Sequence, residues 1–562
     1  MDTTRIAAED YLDALAAHGI EYLFANPGTD FAPVIEAYSR AARRNRPVPR
    51  PLVVPHENAA LCMAHGYTML TGRPQAVMTH VNVGTANAIN ALIDASRDRV
   101  PVLLTSGRTP VTEQGPDGTR DVHIHWAQEM FDQAGMLREL VKWDYELRRP
   151  DQIADVVARA LEIATASPAG PVYLSLPREV LGEVVGAGAG APHRPRAGPS
   201  PPLPAPADVD RLADWVARAR MPLVITGTLG RDPRESAALA RLADRLALPV
   251  VPFNTRYFAL SSAHPMFQGS DPGPLLAEAD LVLVWESDVP WLPSKQQPAP
   301  GARVAQIGED PLYARYPMRS FPSDLTIRSA TLPLLDALER ALDARRPDTA
   351  ARHEALSRRS DALRAAWDAQ AERDGRGEAC TLAWLNHCLR GVADETTVMI
   401  SEYSFRQEHC PLPGPGSLFG LSAAGGLGWG FGAALGAKLA APERSVVAVL
   451  GDGAYMFANP TACHFVSEAQ RLPVLLVIYN NALYGAVRRA TLGMFAAGAA
   501  SEADGRFMAE LDPSPAYETI VQAHGGHGER VTRPAELPGA LARAAAAVRA
   551  GRQALVNVIC PP

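Results

Sequence analysis

Ser445-Val-Val-Ala-Val-Leu-Gly-Asp-Gly453 and Leu472-Pro-Val-Leu-Leu-Val-Ile-Tyr-Asn-Asn481 are the two stretches that decide the fold. Each joins a short, unbroken apolar run to a polar end. Val446 to Leu450 and Val474 to Ile478 show no alternation, which is how strands buried on both faces of a parallel sheet read. Ligands of such sheets bind beyond the carboxyl ends of the strands. There Gly451 and Gly453 let the backbone approach a phosphate closely, Asp452 offers a carboxylate, and Asn481 offers a neutral amide oxygen. Oxygen donors completed by bridging phosphates suit Mg²⁺, which rarely takes all its ligands from protein. The plainer reading is a Gly-Asp-Gly turn and a polar Asn-Asn loop.

Working outward, the same plan recurs. Tyr22-Leu-Phe24, Leu52-Val-Val54, Ala76-Val-Met78 and Val102-Leu-Leu104 read as strands, with helices near Asn58 to Leu70 and Thr85 to Asp98. A middle segment repeats it through Leu223-Val-Ile225, Val250-Val-Pro-Phe253, Leu281-Val-Leu-Val284 and Val304-Ala-Gln-Ile307. Alternating strands and helices predict α/β architecture, with a parallel sheet flanked by helices in each of three domains. Seven prolines between Ala191 and Ala207, after Gly186-Ala-Gly-Ala-Gly190, mark a semi-rigid connector. The expected boundaries are 1–185, a linker at 186–208, a Rossmann-like domain at 209–345, a helical linker at 346–376, and 377–562. Gly227-Thr-Leu-Gly230 follows a strand but lacks the full dinucleotide-binding glycine pattern. Ala423 to Ala437 is apolar and glycine-rich, the composition of a close-packing element.

Bulk properties narrow the function. The 562 residues are 47% hydrophobic and 20% charged with a net charge of −7, enough for large cores but without blocks of like charge. Neither nucleic acid nor a membrane surface is expected as a partner. Six scattered cysteines without a Cys-x-x-Cys pair point to a reducing, cytoplasmic setting. No apolar run reaches the ~20 residues that span a bilayer.

Pro55-His-Glu-Asn58 puts Glu57 at a strand's carboxyl edge, where it is either a reactive carboxylate or an ordinary helix N-terminal acid. Its company is Asn26-Pro-Gly-Thr29, Thr79-His-Val-Asn-Val-Gly-Thr85, Ala423-Ala-Gly-Gly-Leu-Gly428, Gly451-Asp-Gly453 and Asn480-Asn481. Together, and in this order over nearly the whole chain, these resemble the thiamine diphosphate-dependent 2-oxo acid decarboxylase and acetolactate synthase superfamily. The resemblance implies a pyrimidine-binding domain, a central domain and a diphosphate-binding domain.

It also implies roles. Asp452, the Asn481 side chain and a backbone carbonyl near Leu483 would ligate Mg²⁺, while Ser404 and Gly453 would contact the diphosphate. Leu427 would be an apolar wedge under the cofactor, the Gly425 carbonyl would accept from its amino group, and Tyr484 would line its site. Glu57 would share a proton with the aminopyrimidine. The implied reaction is cleavage of a 2-oxo acid through ylid and enamine stages, with or without carboligation. Sites in this family are assembled across a dimer interface, so a homodimer or homotetramer is expected.

Within the superfamily the motifs are closest to benzoylformate decarboxylase. His80 and Thr29 fall where that enzyme has an active-site histidine and serine, and an imidazole suits protonation of the intermediate. His80 is otherwise a strand-end histidine satisfied by backbone. Trp126-Ala-Gln-Glu129, by contrast, is similar to acetolactate synthases, so a transferase joining two 2-oxo acids is the alternative. A non-catalytic FAD in the central domain belongs to that alternative and nothing in the residues indicates it. A second alternative, a cofactor-binding protein without catalysis, leaves Glu57 unexplained. His123 and His125 are expected to decorate a loop. Ala454 stands where the family carries a serine. The interval from Asp452 to Asn481 is slightly longer than the family pattern, with the excess assigned to the loop around Asn459-Pro460. A register shift there would make Asn480 the ligand instead. The Ala/Gly-rich loop from Gly493 to Arg506 is a candidate lid.

Overall fold

Strands buried on both faces need apolar residues at every position, and the apolar runs of this chain form three parallel sheets. The structure is a computed structural model that describes residues 4–115, 117–185, 198–345, 347–502 and 505–561. It is built as two units. The first takes Met1–Pro199 with Ser422–Pro442 and Ala454–Leu472, and the second takes Ser200–Leu421, Glu443–Gly453 and Pro473–Pro562.

In the first unit, six strands lie in the order Arg50–Val53, Tyr22–Ala25, Ala76–Thr79, Leu103–Arg108, Val172–Pro177 and Asp144–Glu146. Every neighbouring pair is parallel. The core on one face joins Tyr11, Leu15, Phe31, Met78, Leu103 and Leu174. Helix Glu57–Thr71 is buried from Glu57 to Met69, so it is covered all round and does not present a solvent face. The glycine-rich helix Trp429–Ala440 packs along it. A β-carbon on Gly66 would lie 2.2 Å from the Ala433 carbonyl oxygen, and one on Gly436 2.0 Å from that of Met63. The two backbones are therefore closer than any side chain permits, which is why this segment is rich in glycine. The helix expected over Thr85 to Asp98 is broken at Ala88 into Val81–Asn87 and Ile89–Arg97.

The second unit holds two sheets. One has the order Val250–Pro252, Pro222–Thr226, Leu281–Trp285, Arg303–Gly308, Leu325–Arg328. The other runs Leu418–Gly420, Val398–Glu402, Val446–Gly451, Leu475–Asn480, Ala554–Ile559, His527–Val531. All pairs are again parallel. Helix Ala350–Gly375 is long and largely exposed. Of the Pro/Gly-rich stretch, 186–197 lies outside the described residues. No helix among the described residues is long and apolar enough to cross a membrane.

Candidate active site

Two groups of polar side chains collect at carboxyl ends of strands, one in each unit. In the first unit, Glu57 opens its helix from an extended His56 and is buried. Both its oxygens accept from side-chain amides, Oε1 from Asn26 Nδ2 at 2.9 Å and Oε2 from Asn87 Nδ2 at 2.6 Å. Gly84 lets helix Val81–Asn87 close on it, since a β-carbon there would lie 2.9 Å from Glu57 Oε1. His56 follows the strand end, where burial holds its imidazole below the usual pKa.

His80 sits at the end of strand Ala76–Thr79 and caps helix Val81–Asn87. Its Nδ1 lies 2.5 Å from Asp30 Oδ1, and its Nε2 3.3 Å from Gln128 Nε2. The hydrogen bond and charge of Asp30 raise the His80 pKa against the opposing effect of burial, and Glu57 adds to the rise. Val81 takes a φ of 28°, a region that a β-branched side chain avoids, at a cost of about 1–3 kcal/mol. Thr29 begins the turn Thr29–Phe31, with its Oγ1 3.5 Å from His125 Nε2. His125 is not the loop ornament that its sequence context suggests. It is buried on the short helix Ile124–Ala127, where desolvation and then Arg178 depress its pKa. Gly425 and Leu427 belong to this unit too. Gly425 is left-handed at φ 70°, and the Leu427 carbonyl accepts from Asn90 Nδ2 at 3.0 Å.

In the second unit, three adjacent strands, Val398–Glu402, Val446–Gly451 and Leu475–Asn480, end side by side. Ser404 is buried just past the first end, Asp452 past the second, and Asn481 past the third. Gly451 pairs with Tyr479, so the register brings Asp452 level with the Asn480-Asn481 end. The break between helices Asp452–Phe457 and Pro460–Ala469 falls at Asn459, which is left-handed at φ 52°. The two strands stay in regular register beyond it.

Asp452 is buried and its Oδ1 accepts from the Gly453 N–H at 2.8 Å. Burial pushes its pKa up, against the pull of backbone N–H groups at Gly453, Ala482 and Leu483. Its Oδ2 is buried without a hydrogen bond of good geometry among the described residues. An orphaned carboxylate oxygen is what a cation ligand looks like, so the residues fit a metal. The Asn480 side chain is already engaged within its unit. Its Nδ2 donates to Ser514 Oγ at 2.8 Å and Asn557 Oδ1 at 3.0 Å, and its Oδ1 accepts from the Ala482 N–H at 3.2 Å. Asn481, the next residue, is half-buried just past the strand end. Leu483 bridges Glu510, and the Tyr484 N–H donates to the Ala509 carbonyl at 2.7 Å, which pins this loop. Among the described residues no cluster of three His, Cys, Asp or Glu side chains could hold a metal alone. Amide and carbonyl oxygens with phosphate would have to complete the shell.

Sequence reasoning missed Asp30, Asn87 and the burial of His125. Asp30 immediately follows the quoted Asn26-Pro-Gly-Thr29 and Asn87 stands two positions beyond Thr85, so proximity to a motif was the available signal.

The fold and these groups define an α/β protein with buried carboxylates at strand ends. Comparison with known proteins makes that specific. Residues 6–136 match the thiamine pyrophosphate enzyme N-terminal TPP binding domain, and 402–558 the C-terminal TPP binding domain. The chain is 30% identical to benzoylformate decarboxylase of Pseudomonas aeruginosa, with 96% of each chain covered. It is 26% identical to an acetolactate synthase large subunit of Mycobacterium tuberculosis over 90% of this chain and 88% of the other. Among solved structures, a thiamine diphosphate-dependent 4-hydroxybenzoylformate decarboxylase of Rhodococcus jostii shares the fold at a TM-score of 0.79 and 21% identity, covering 99% of both chains. The chain belongs to the thiamine pyrophosphate enzyme family, in the class that includes 2-oxo acid decarboxylases and acetolactate synthases. It is an enzyme of the lyase or transferase type that works with thiamine diphosphate.

Proposed function

We propose that this chain decarboxylates a 2-oxo acid and protonates the carbon that loses CO₂, releasing an aldehyde. The observation that carries the reading is His80, held against Asp30 beside Glu57 so that its protonated form is favoured. Transfer to a second carbonyl, the acetolactate synthase alternative, needs no such proton donor. The 30% identity to a decarboxylase over nearly the whole chain supports the same choice.

Thiamine diphosphate, when bound, supplies the carbon nucleophile and the electron sink for loss of CO₂. The protein's residues hold it and manage protons. In this reading residues 1–185 take the pyrimidine and 377–562 the diphosphate, with 209–345 as the central domain. Asp452, the Asn481 side chain and the Leu483 carbonyl hold Mg²⁺, and the orphaned Asp452 Oδ2 supports that assignment. Ser404 and Gly453 contact the diphosphate and Tyr484 lines it. The Gly425 carbonyl and Leu427 orient the pyrimidine, and Glu57, clamped by two amides, exchanges a proton with it. Thr29 and His80 face the substrate. A homodimer or homotetramer, with Glu57 and Asp452 of different copies serving one cofactor, completes the site in a cytoplasmic enzyme.

FAD is not part of the proposal. The Gly227 and Thr228 N–H groups donate to the Glu286 carbonyl at 3.2 and 2.9 Å, and the Gly230 N–H to Glu235 Oε2 at 3.0 Å. A pyrophosphate would need such groups free.

The test is a panel of aliphatic and aromatic 2-oxo acids, assayed for CO₂ with product identification. Aldehyde formation is expected; acyloin or acetohydroxy acid as the main product would move the chain to the alternative.

A further inference from the structure

His80 can serve as a proton donor only if one ring nitrogen is held and the other left to exchange. Asp30 is placed to do the holding. It is buried in the turn Thr29–Phe31, with Oδ1 2.5 Å from His80 Nδ1 and Oδ2 accepting from the Val81 N–H at 3.3 Å. Two glycines make room for the pair. A β-carbon on Gly107 would lie 1.7 Å from Asp30 Oδ2, and one on Gly28 2.1 Å from His80 Nδ1. The strained φ of Val81 falls at the same junction.

The other face of the imidazole meets Gln128. Gln128 Nε2 lies 3.3 Å from His80 Nε2, while its Oε1 is buried with no hydrogen-bond partner among the described residues. In this orientation the amide donates to a bare ring nitrogen; turned over, it accepts from a protonated one. We infer that Asp30 is a positioning residue for His80, holding its ring hydrogen on Nδ1, and that the Gln128 amide turns over as Nε2 gains and loses its proton. Glu57 and His125 are the other titratable groups facing His80; a Glu57 carboxylate favours its charged form and a protonated His125 opposes it.

The role in turnover rests on the decarboxylase reading, but the pairing does not, and the test separates them. Histidine-selective ¹⁵N labelling of the full-length, substrate-free protein reports the tautomer and titration of His80. The neutral ring is expected to carry its hydrogen on Nδ1. In Asp30→Asn the His80 midpoint should fall by about one pH unit or more, since an adjacent opposite charge shifts a pKa by about 1–3 units. Gln128→Met should move it less. A wild-type neutral ring with hydrogen on Nε2, or an unchanged midpoint in Asp30→Asn, overturns the inference. Should Asp30→Asn fail to fold, the wild-type tautomer still decides. An Nδ1–H tautomer in a protein that releases no CO₂ from any 2-oxo acid would sink the proposed reaction and leave the pairing intact.

Discussion

Replacing Glu57 with Gln separates the chemistry of that carboxylate from its structural part. Both oxygens accept from amide donors, Asn26 Nδ2 at 2.9 Å and Asn87 Nδ2 at 2.6 Å. Gln keeps one acceptor and turns the other into a donor, so one asparagine meets a donor unless its own amide turns over. A buried group left unsatisfied in this way costs about 1–3 kcal/mol of stability. Loss of a group that moves a proton in the rate-limiting barrier costs about 10²–10⁴ in rate, or about 3–5 kcal/mol at 1.36 kcal/mol per decade. Urea unfolding reads the first quantity, and CO₂ release at saturating cofactor and substrate reads the second. The expected result is a folded Glu57→Gln protein, destabilised by at most about 3 kcal/mol, whose turnover falls at least about a hundredfold. Turnover within a few-fold of wild type, with cofactor bound, would refute the assignment of Glu57 to proton exchange.

Other outcomes follow from the same geometry. Asp452→Asn should abolish the rise in thermal midpoint that Mg²⁺ and thiamine diphosphate together give the wild type, as should chelation of the metal. Because burial raises the Asp452 pKa, protons compete with a cation there at higher pH than at an ordinary aspartate, so cofactor affinity measured by titration should weaken as pH falls toward the folded value. The His80 pKa is raised, so its charged form persists to higher pH than an ordinary imidazole's and is lost as pH rises through the folded value; decarboxylation should show an alkaline limb there. Gly436→Ala puts a β-carbon 2.0 Å from the Met63 carbonyl oxygen, and should lower stability by about 1–3 kcal/mol in denaturant unfolding despite alanine's better helix propensity.

Much of this protein was legible in its residues because parallel strands advertise themselves. Val446 to Leu450 and Val474 to Ile478 are buried runs, and the polar residues that follow them are where ligands of such sheets bind, so Asp452 and Asn481 were candidates before any fold was known. Helix boundaries near Glu57 and the close-packing role of the segment after Gly428 were readable for the same reason, that local pattern and backbone sterics act over a few residues. The candidate lid was less readable. It comprises the end of helix Gly485–Met494 and a turn at Ala499–Ser501, tied by Arg488 Nη1 donating to the Gly505 carbonyl at 2.7 Å, with 503–504 outside the described residues.

The order of residues by itself determined the α/β class, the strand ends and the kinds of side chain placed there, because periodicity and glycine content are local properties. Tertiary structure alone decided which of those groups meet. Asp30 reaches His80 across 50 residues of chain and His125 reaches Thr29 across 96, Asn480 is spent on Ser514 and Asn557, and Gly66 faces Ala433. Hydrogen bonds and burial between residues far apart in sequence depend on how sheets and helices pack, and no local pattern carries that information.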